Sequence, residues 1–398
     1  MNEDLRWANA YPELGTEPLP IDSYLSQDQY ELERDRVFKR AWLMIGRVEE
    51  IPARGDYKIK RLDVASTSII VMRGRDNEIR AFHNICSHRG NKVLAEDGID
   101  TYGNSRTATM YCKFHGWTYD ATGALVHVPE ENKFPGCFDR AQLGLTPVHA
   151  GVWEGFIFIN LAEEPAQTLE ESLAGLKDHL GGYPFGEMPY QHTYALDLKC
   201  NWKIAYDAFS EAYHVGILHG RTLPGSFTGA LDRIQFFGDH RTSAAHIDLE
   251  TSVFTPLQAI SNAVGGNSLM AEKKVSMLPP GINPDRANDF GFEITPLFPN
   301  LIIHVTDGIW FTHEFWPVAR DRTIWQAKYY LRQPMTNSQL WAADHAQIVT
   351  RNVWLEDTGT MEATQSAIES GAKKNFVLHD DEILIRHNYK VIEKYTHA

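Results

Sequence analysis

The chain has 398 residues, 43% of them hydrophobic and 23% charged, a globular composition long enough for two or three domains and unlike a disordered chain, a collagen or a small disulfide scaffold. Its formal net charge is −14, from 38 Lys and Arg against 52 Asp and Glu, which disfavours nucleic acid and anionic membranes as partners. No apolar run approaches the roughly 18 residues of a membrane span. The acidic, polar start lacks the pattern of a secretory signal, so a cytoplasmic location is expected. Four cysteines are few for a secreted scaffold and read as ligands or buried thiols.

Residues 21–42 read as a helix, with Ser26 and Gln29 spaced as a capping box, and residues 1–42 as an N-terminal helical segment. From 43 to 161 the signals are short strands rich in Ile, Val, Phe and Tyr, at 68–74, 78–85, 108–120 and 155–161, broken by Gly and Asp. This predicts an all-β domain of antiparallel strands. The stretch 162–168 reads as a linker, and Thr168 with Glu171 as a capping box opening a helix through about Leu180. A second domain then spans 168–398. In it, 201–215 reads as a helix with Asn201 as N-cap, and 225–291 is Gly-rich. Strands follow at 301–305, 308–318 and 323–331, the last two joined by a hairpin at Ala319–Arg322, and the tail from 337 is helical.

Two constellations carry chemistry. The first is Cys86-Ser87-His88 and Cys112-Lys113-Phe114-His115, a C-x-H and a C-x-x-H arm with 23 residues between His88 and Cys112. Four such ligands suit a tetrahedral zinc or a [2Fe–2S] cluster with both Cys on one iron and both His on the other. Zinc sites of this ligand set usually pair Cys with Cys and His with His. Here each arm carries one of each, so each arm reaches both irons, which favours the cluster. Gly90 and Gly116 suit tight turns that bring backbone N–H groups near sulfur. Cys137 and Cys200 match no ligand position and read as buried thiols.

The second constellation lies in the 201–215 segment. Asp207, Glu211 and His214 fall at i, i+4 and i+7, one face of a helix. His219, five residues beyond His214, falls about 140° off that face on an ideal helix, so Gly216 is expected to break the helix between them. Two His and a distant carboxylate make a facial triad with open coordination positions. Carboxylate candidates cluster at Glu356, Asp357 and Glu362. Their alternative reading is a solvated acidic helix end, with Glu362 favouring the start of a following helix.

CSHRG and CKFHGWTYD resemble the two ligand loops of a Rieske iron–sulfur domain. NWKIAYDAFSEAYHVGILH and LEDTGTMEATQ resemble the catalytic signature and third-ligand segment of the oxygenase α subunits of Rieske non-haem iron oxygenases. The likeness runs over nearly the whole chain. It implies an α+β architecture, with an N-terminal all-β Rieske domain and a C-terminal helix-grip catalytic domain built on an antiparallel sheet. It further implies cluster ligands Cys86, His88, Cys112 and His115, and mononuclear iron ligands His214, His219 and Asp357, with Glu356 as the alternative to Asp357. Glu211 becomes the carboxylate that links His214 to a cluster His, His115, of a neighbouring subunit in a homotrimer, and Asp207 a further catalytic candidate. Electrons are expected from NAD(P)H through a separate reductase, with or without a ferredoxin, since no nucleotide or flavin motif is present; a β subunit is an open addition. The family's chemistry points to hydroxylation or dihydroxylation of an apolar, aromatic or polycyclic substrate, as in aromatic hydrocarbon catabolism, with the aromatic-rich 290–330 segment in support.

Three departures stand out. The inter-arm spacer is lengthened by 97–109, where an enlarged hairpin is expected. The bridging carboxylate is Glu211 where Asp is common, and a frequent Asn is replaced by Ala208. The last two weigh against arene cis-dihydroxylation, and Glu211 favours an alternative with the same fold: oxidative demethylation or C–N cleavage of a smaller polar substrate.

Overall fold

The computed structural model describes residues 5–136, 138–223, 227–247, 255–261, 263, 278–306 and 308–397. It divides into two compact units, Phe38–Leu169 and Met1–Val37 with Glu170–Ala398.

The first unit is all-β. Strands β1 (Leu43–Arg47), β2 (Asp56–Leu62), β3 (Thr67–Arg73), β4 (Ile79–His83), β5 (Asp100–Asn104), β9 (Pro147–Trp153) and β10 (Phe156–Asn160) form one antiparallel sheet in the order β1-β10-β9-β4-β3-β2-β5. Strands β6 (Thr109–Tyr111), β7 (Thr118–Asp120) and β8 (Leu125–His127) form a small second sheet. The expected single run 108–120 is thus two strands, and the turn between them carries Cys112 and His115. The expected hairpin at 97–109 does not form: β5 pairs with β2, from Asp56↔Asn104 to Lys60↔Asp100, as the edge of the large sheet. Its extra length extends the sheet and leaves the ligand turns alone. Ile59, Ile70, Met72, Phe82, Met110 and Trp117 belong to one buried core that also contains Cys86 and Cys112.

The second unit is a seven-stranded antiparallel sheet with helices against it, so the α+β expectation is met. Its strands are β11 (Tyr190–Leu198), β12 (Phe227–Phe237), β13 (His240–Ile247), β14 (Phe290–Leu297), β15 (Leu301–Val305), β16 (Ile309–Ala319) and β17 (Arg322–Leu331), ordered β11-β17-β16-β15-β14-β13-β12. The β16–β17 hairpin closes at Ala319↔Arg322. Helix α1 (Trp202–Ala208) has Asn201 as its N-cap, accepting the Lys203 N–H at 3.0 Å. Next come a short helix α2 (Val215–Leu218), a long helix α3 (Asn337–Ile368) and helix α4 (Ile383–Thr396).

Two expectations about helices are corrected. The 201–215 helix ends at Ala208, seven residues early. The segment Glu356–Glu362 is no helix end but the middle of α3, and Glu362 accepts the Lys199 N–H at 3.0 Å. The N-terminal residues up to Val37 cluster with the second unit. Helix 21–42 is broken at Ser26, whose extended backbone caps Gln27–Glu33 and accepts the Gln29 N–H at 3.2 Å. Buried Glu33 takes the Lys203 ammonium at 2.6 Å and the Trp202 indole N–H at 2.7 Å, tying this segment to α1.

Candidate metal centres

In the first unit two tight turns present the four expected ligands. Gly90 (φ 72°) and Gly116 (φ 75°) stand in the left-handed region, where glycine adds no steric penalty, and their N–H groups close onto the carbonyls of Cys86 and Cys112 at 2.9 Å each. The thiols of Cys86 and Cys112 adjoin one another. The Nδ1 atoms of His88 and His115 lie 3.2 Å apart. Sulfur faces sulfur and nitrogen faces nitrogen, as two irons require. A single tetrahedral zinc needs all four donor atoms gathered around one point. Among the described residues, the group whose ligand atoms gather within 4.8 Å of one another lies elsewhere, at His214, His219 and Asp357.

Donors surround the sulfurs. The Tyr119 hydroxyl lies 3.2 Å from Cys86 Sγ and accepts the Ser87 N–H at 3.0 Å, so its own proton is free for the sulfur. The Asn91 amide reaches Cys112 Sγ at 3.6 Å. Burial pushes the Cys86 thiol up. At Cys112 burial acts the same way, but the Phe114 N–H and the Asn91 amide outweigh it and the thiol is pulled down. Trp117 stacks on His88 with ring centroids 4.9 Å apart, and Phe114 is 51% exposed beside the His115 ring.

In the second unit the end of α1 explains how two His converge. The Ser210 hydroxyl donates back to the Tyr206 carbonyl at 2.7 Å. Glu211 turns its carboxylate onto the N–H groups of Tyr213 and His214 and onto His214 Nδ1. Side chains that bond the local backbone compete with the helical ladder, so the helix stops and α2 begins anew. His214 and His219 cap the two ends of α2. Gly216 lies inside α2, so it is not the break.

Asp357 comes from the middle of α3. Its Oδ1 is 3.2 Å from His214 Nε2 and 3.1 Å from His219 Nε2. Adjacent ligands on one ion, with bonds of about 2.1 Å, stand roughly 3 Å apart, so these three residues fit a single metal. Each imidazole is held from behind: His214 Nδ1 by Glu211 and His219 Nδ1 by Glu356, at 2.7 Å. Thr222 donates its hydroxyl to Glu356 in turn. Burial acts to lower His214, but Asp357 and Glu211 outweigh it and push it up to about 10. His219 rises for the same reason, against its burial, through Asp357 and Glu356. A site that holds protons this firmly is one that attracts a cation.

Asp207 is not brought to the triad. Its Oδ2 accepts from Tyr24 at 2.8 Å and its Oδ1 from Asn388 at 3.0 Å. Burial pushes it up to about 6. Cys200 is buried, its thiol pushed up to about 12 by burial; Cys137 lies outside the described residues.

The sheet face toward α1 is aromatic. Phe209 stacks on His313 at 3.9 Å, and Trp354 of α3 meets His313 at 5.1 Å and Phe311 at 5.4 Å. The sequence reading assigned no role to Tyr119, Asn91, His304 or His313. For His304 the signal was available, since it is the one polar residue in the strand LIIHV; His313, flanked by Thr312 and Glu314, gave no such contrast.

Comparison with known proteins agrees with this geometry. Residues 41–144 match the Rieske [2Fe-2S] domain family, and residues 185–398 match the ring hydroxylating alpha subunit (catalytic domain) family. The chain is 31% identical over 238 residues to the glycine betaine monooxygenase oxygenase subunit of Chromohalobacter salexigens, covering 59% of this chain and 49% of that one. It is 33% identical over 205 residues to the biphenyl dioxygenase subunit alpha of Paraburkholderia xenovorans, covering 48% and 43%. The alignments thus span about half the length of these curated relatives. Among solved structures, naphthalene 1,2-dioxygenase from Rhodococcus sp. superposes with a TM-score of 0.76 at 20% identity, over 100% of this chain and 98% of that one. A quaternary ammonium Rieske monooxygenase superposes with a TM-score of 0.74 at 20% identity, over 95% of each. These structural likenesses speak to the fold.

Proposed function

Since this chain belongs to the ring-hydroxylating α-subunit family of Rieske non-haem iron oxygenases, we propose that it is a terminal oxygenase that hydroxylates or dihydroxylates an apolar, aromatic or polycyclic substrate. The carrying observation is the His214, His219 and Asp357 triad, two of whose members have a carboxylate behind them, next to an aromatic sheet face. In this reading Cys86, His88, Cys112 and His115 hold the [2Fe–2S] cluster, and His214, His219 and Asp357 hold iron. Iron held in such a triad would supply O₂ activation, and the cluster held by the four first-unit ligands would supply one-electron chemistry.

The chain's own residues do the rest. Glu211 and Glu356 fix the ring orientation of His214 and His219 and raise their basicity. Phe209, Phe311 and Trp354 give the substrate a dry, flat face. Electrons come from NAD(P)H by way of a separate reductase, with or without a ferredoxin. The subunits form a homotrimer in which Glu211 meets the neighbouring cluster through His115.

A second reading, oxidative demethylation or C–N cleavage of a small quaternary ammonium compound, is favoured by glutamate at position 211 and by the likeness to the glycine betaine and carnitine enzymes. An aromatic wall also suits such a cation. Turnover with a reconstituted electron supply and ¹⁸O₂ separates the two. The proposal expects labelled products from naphthalene or biphenyl and none from glycine betaine or carnitine. Formaldehyde from glycine betaine, or trimethylamine from carnitine, with no labelled arene product would replace it with the second reading.

A further inference from the structure

Two imidazoles on the inner face of the seven-stranded sheet keep ring nitrogens without partners. His304 is 5% exposed and His313 0%. Both nitrogens of His304 and Nε2 of His313 are buried and make no hydrogen bond. The residues sit on adjacent strands, His313 opposite Ile302 and His304 opposite Phe311, so both side chains leave the same face. Their rings meet edge to face with centroids 5.1 Å apart.

Which nitrogen of His313 carries its proton follows from its neighbour. The Trp325 indole N–H donates to His313 Nδ1 at 3.2 Å. An indole only donates, so Nδ1 is bare and Nε2 bears the hydrogen. Burial keeps both rings neutral, holding His304 down at about 3 and His313 well below the usual range. His313 therefore presents one N–H with nothing to receive it, and His304 one donor and one acceptor. An unpaired buried donor is costly, and such groups are rare in native folds unless something else meets them.

Their position says what that is. Asp357 of the triad is the charge that acts on His304. His313 lies between Phe209, five residues before His214, and Trp354, three before Asp357. The unpaired nitrogens thus stand in an aromatic frame whose Phe209 and Trp354 belong to the two segments that carry the iron ligands.

We propose that His304 and His313 are specificity-determining residues that hold an oxygen-bearing group of the substrate, with His313 Nε2–H donating to a carbonyl or other acceptor oxygen on an otherwise apolar ring system. This rests on the oxygenase reading and makes oxygen-bearing aromatic or polycyclic compounds the preferred substrates within it. A bare hydrocarbon leaves the donors unpaired, and a quaternary nitrogen offers them no lone pair.

The test is equilibrium binding to the metal-replete protein without reductant, read by tryptophan fluorescence, with naphthalene and 2-acetylnaphthalene as probes. One hydrogen bond of ordinary strength corresponds to about tenfold in affinity. The wild type is expected to bind the ketone about tenfold more tightly than the hydrocarbon. His304→Phe and His313→Phe should bring the two probes to within about twofold of each other without weakening naphthalene binding. His313→Gln, which keeps a donor, should retain part of the preference. Equal binding of the probes by the wild type, binding of neither, or an unchanged preference in both Phe variants overturns the proposal. If either Phe variant fails to fold, the wild-type ratio decides. Binding is read without turnover, so an intact preference with no labelled product from ¹⁸O₂ would sink the oxygenase reading alone.

Discussion

Glu356 and Asp357, neighbours in the chain, take opposite nitrogens of one imidazole: Asp357 Oδ1 lies 3.1 Å from His219 Nε2, and Glu356 Oε2 lies 2.7 Å from His219 Nδ1. One faces the metal point and the other steadies the ring from behind. Asp357→Ala should therefore lose the mononuclear iron while the visible spectrum of the cluster persists. Glu356→Gln should keep a site, with metal affinity weakened roughly 10–100-fold, the usual effect of removing an outer-shell partner. Iron per chain after dialysis against a graded chelator measures both. A greater loss in Glu356→Gln would interchange their roles.

Glu211→Gln separates the two centres without emptying either. Glutamine keeps the shape but not the charge that receives His214 Nδ1. Both metals should bind, and the cluster should still accept an electron. Single-turnover reoxidation of the cluster with substrate and O₂ should slow roughly 10–100-fold. Wild-type rates would reduce Glu211 to a local backbone cap.

Asp207 is bonded to Tyr24 and Asn388 and not to the triad. Its carboxyl is held up to about 6 by burial, above the unfolded value of about 3.9. The unfolded chain therefore releases this proton first, and the native state loses stability as pH rises through about 4 to 6. The shift corresponds to about 3 kcal/mol. Asp207→Asn lacks this component, and the unpaired Asn388 Oδ1 can accept the new amide. Denaturant unfolding of both proteins at pH 4 and pH 7 should show the wild type losing ground to the variant by about that amount, with mononuclear iron content unchanged.

Glu33→Ala should be costly although it lies far from either centre in sequence. It strands the buried Lys203 ammonium and the Trp202 indole N–H. Breaking a buried pair from one side costs about 3–5 kcal/mol. Thermal unfolding followed by far-UV circular dichroism should show the loss, and a shift within error would mean the pair is dispensable.

The sequence announced the ligands more faithfully than the path between them. Strands 301–305, 309–319 and 322–331 were legible because their apolar, β-branched and aromatic runs are bounded by clear turn residues. The two cluster turns were legible from paired Cys, His and Gly. The helical-face arithmetic linking Asp207, Glu211 and His214 was not sound, because the side chains of Ser210 and Glu211 bond the local backbone and end the helix at Ala208. That competition is visible only once the side chains have positions. Asp357 was readable by a route the sequence reading did not take: Trp354, Asp357, Thr358, Met361 and Gln365 form a buried stripe along α3, and an acid on such a stripe calls for a partner. The 97–109 segment misled because its strand pairs across the sheet with 56–62, a long-range choice that local turn signals do not carry.

The central claim, a two-centre oxygenase, is tested most directly by counting metal in the anaerobically purified protein and in Asp357→Ala side by side. Three irons per chain are expected in the wild type, about two in the variant, and the same red-brown absorption in both. Two irons in each protein would make the chain an electron carrier with an idle second unit, and a colourless wild type holding zinc would contradict both centres.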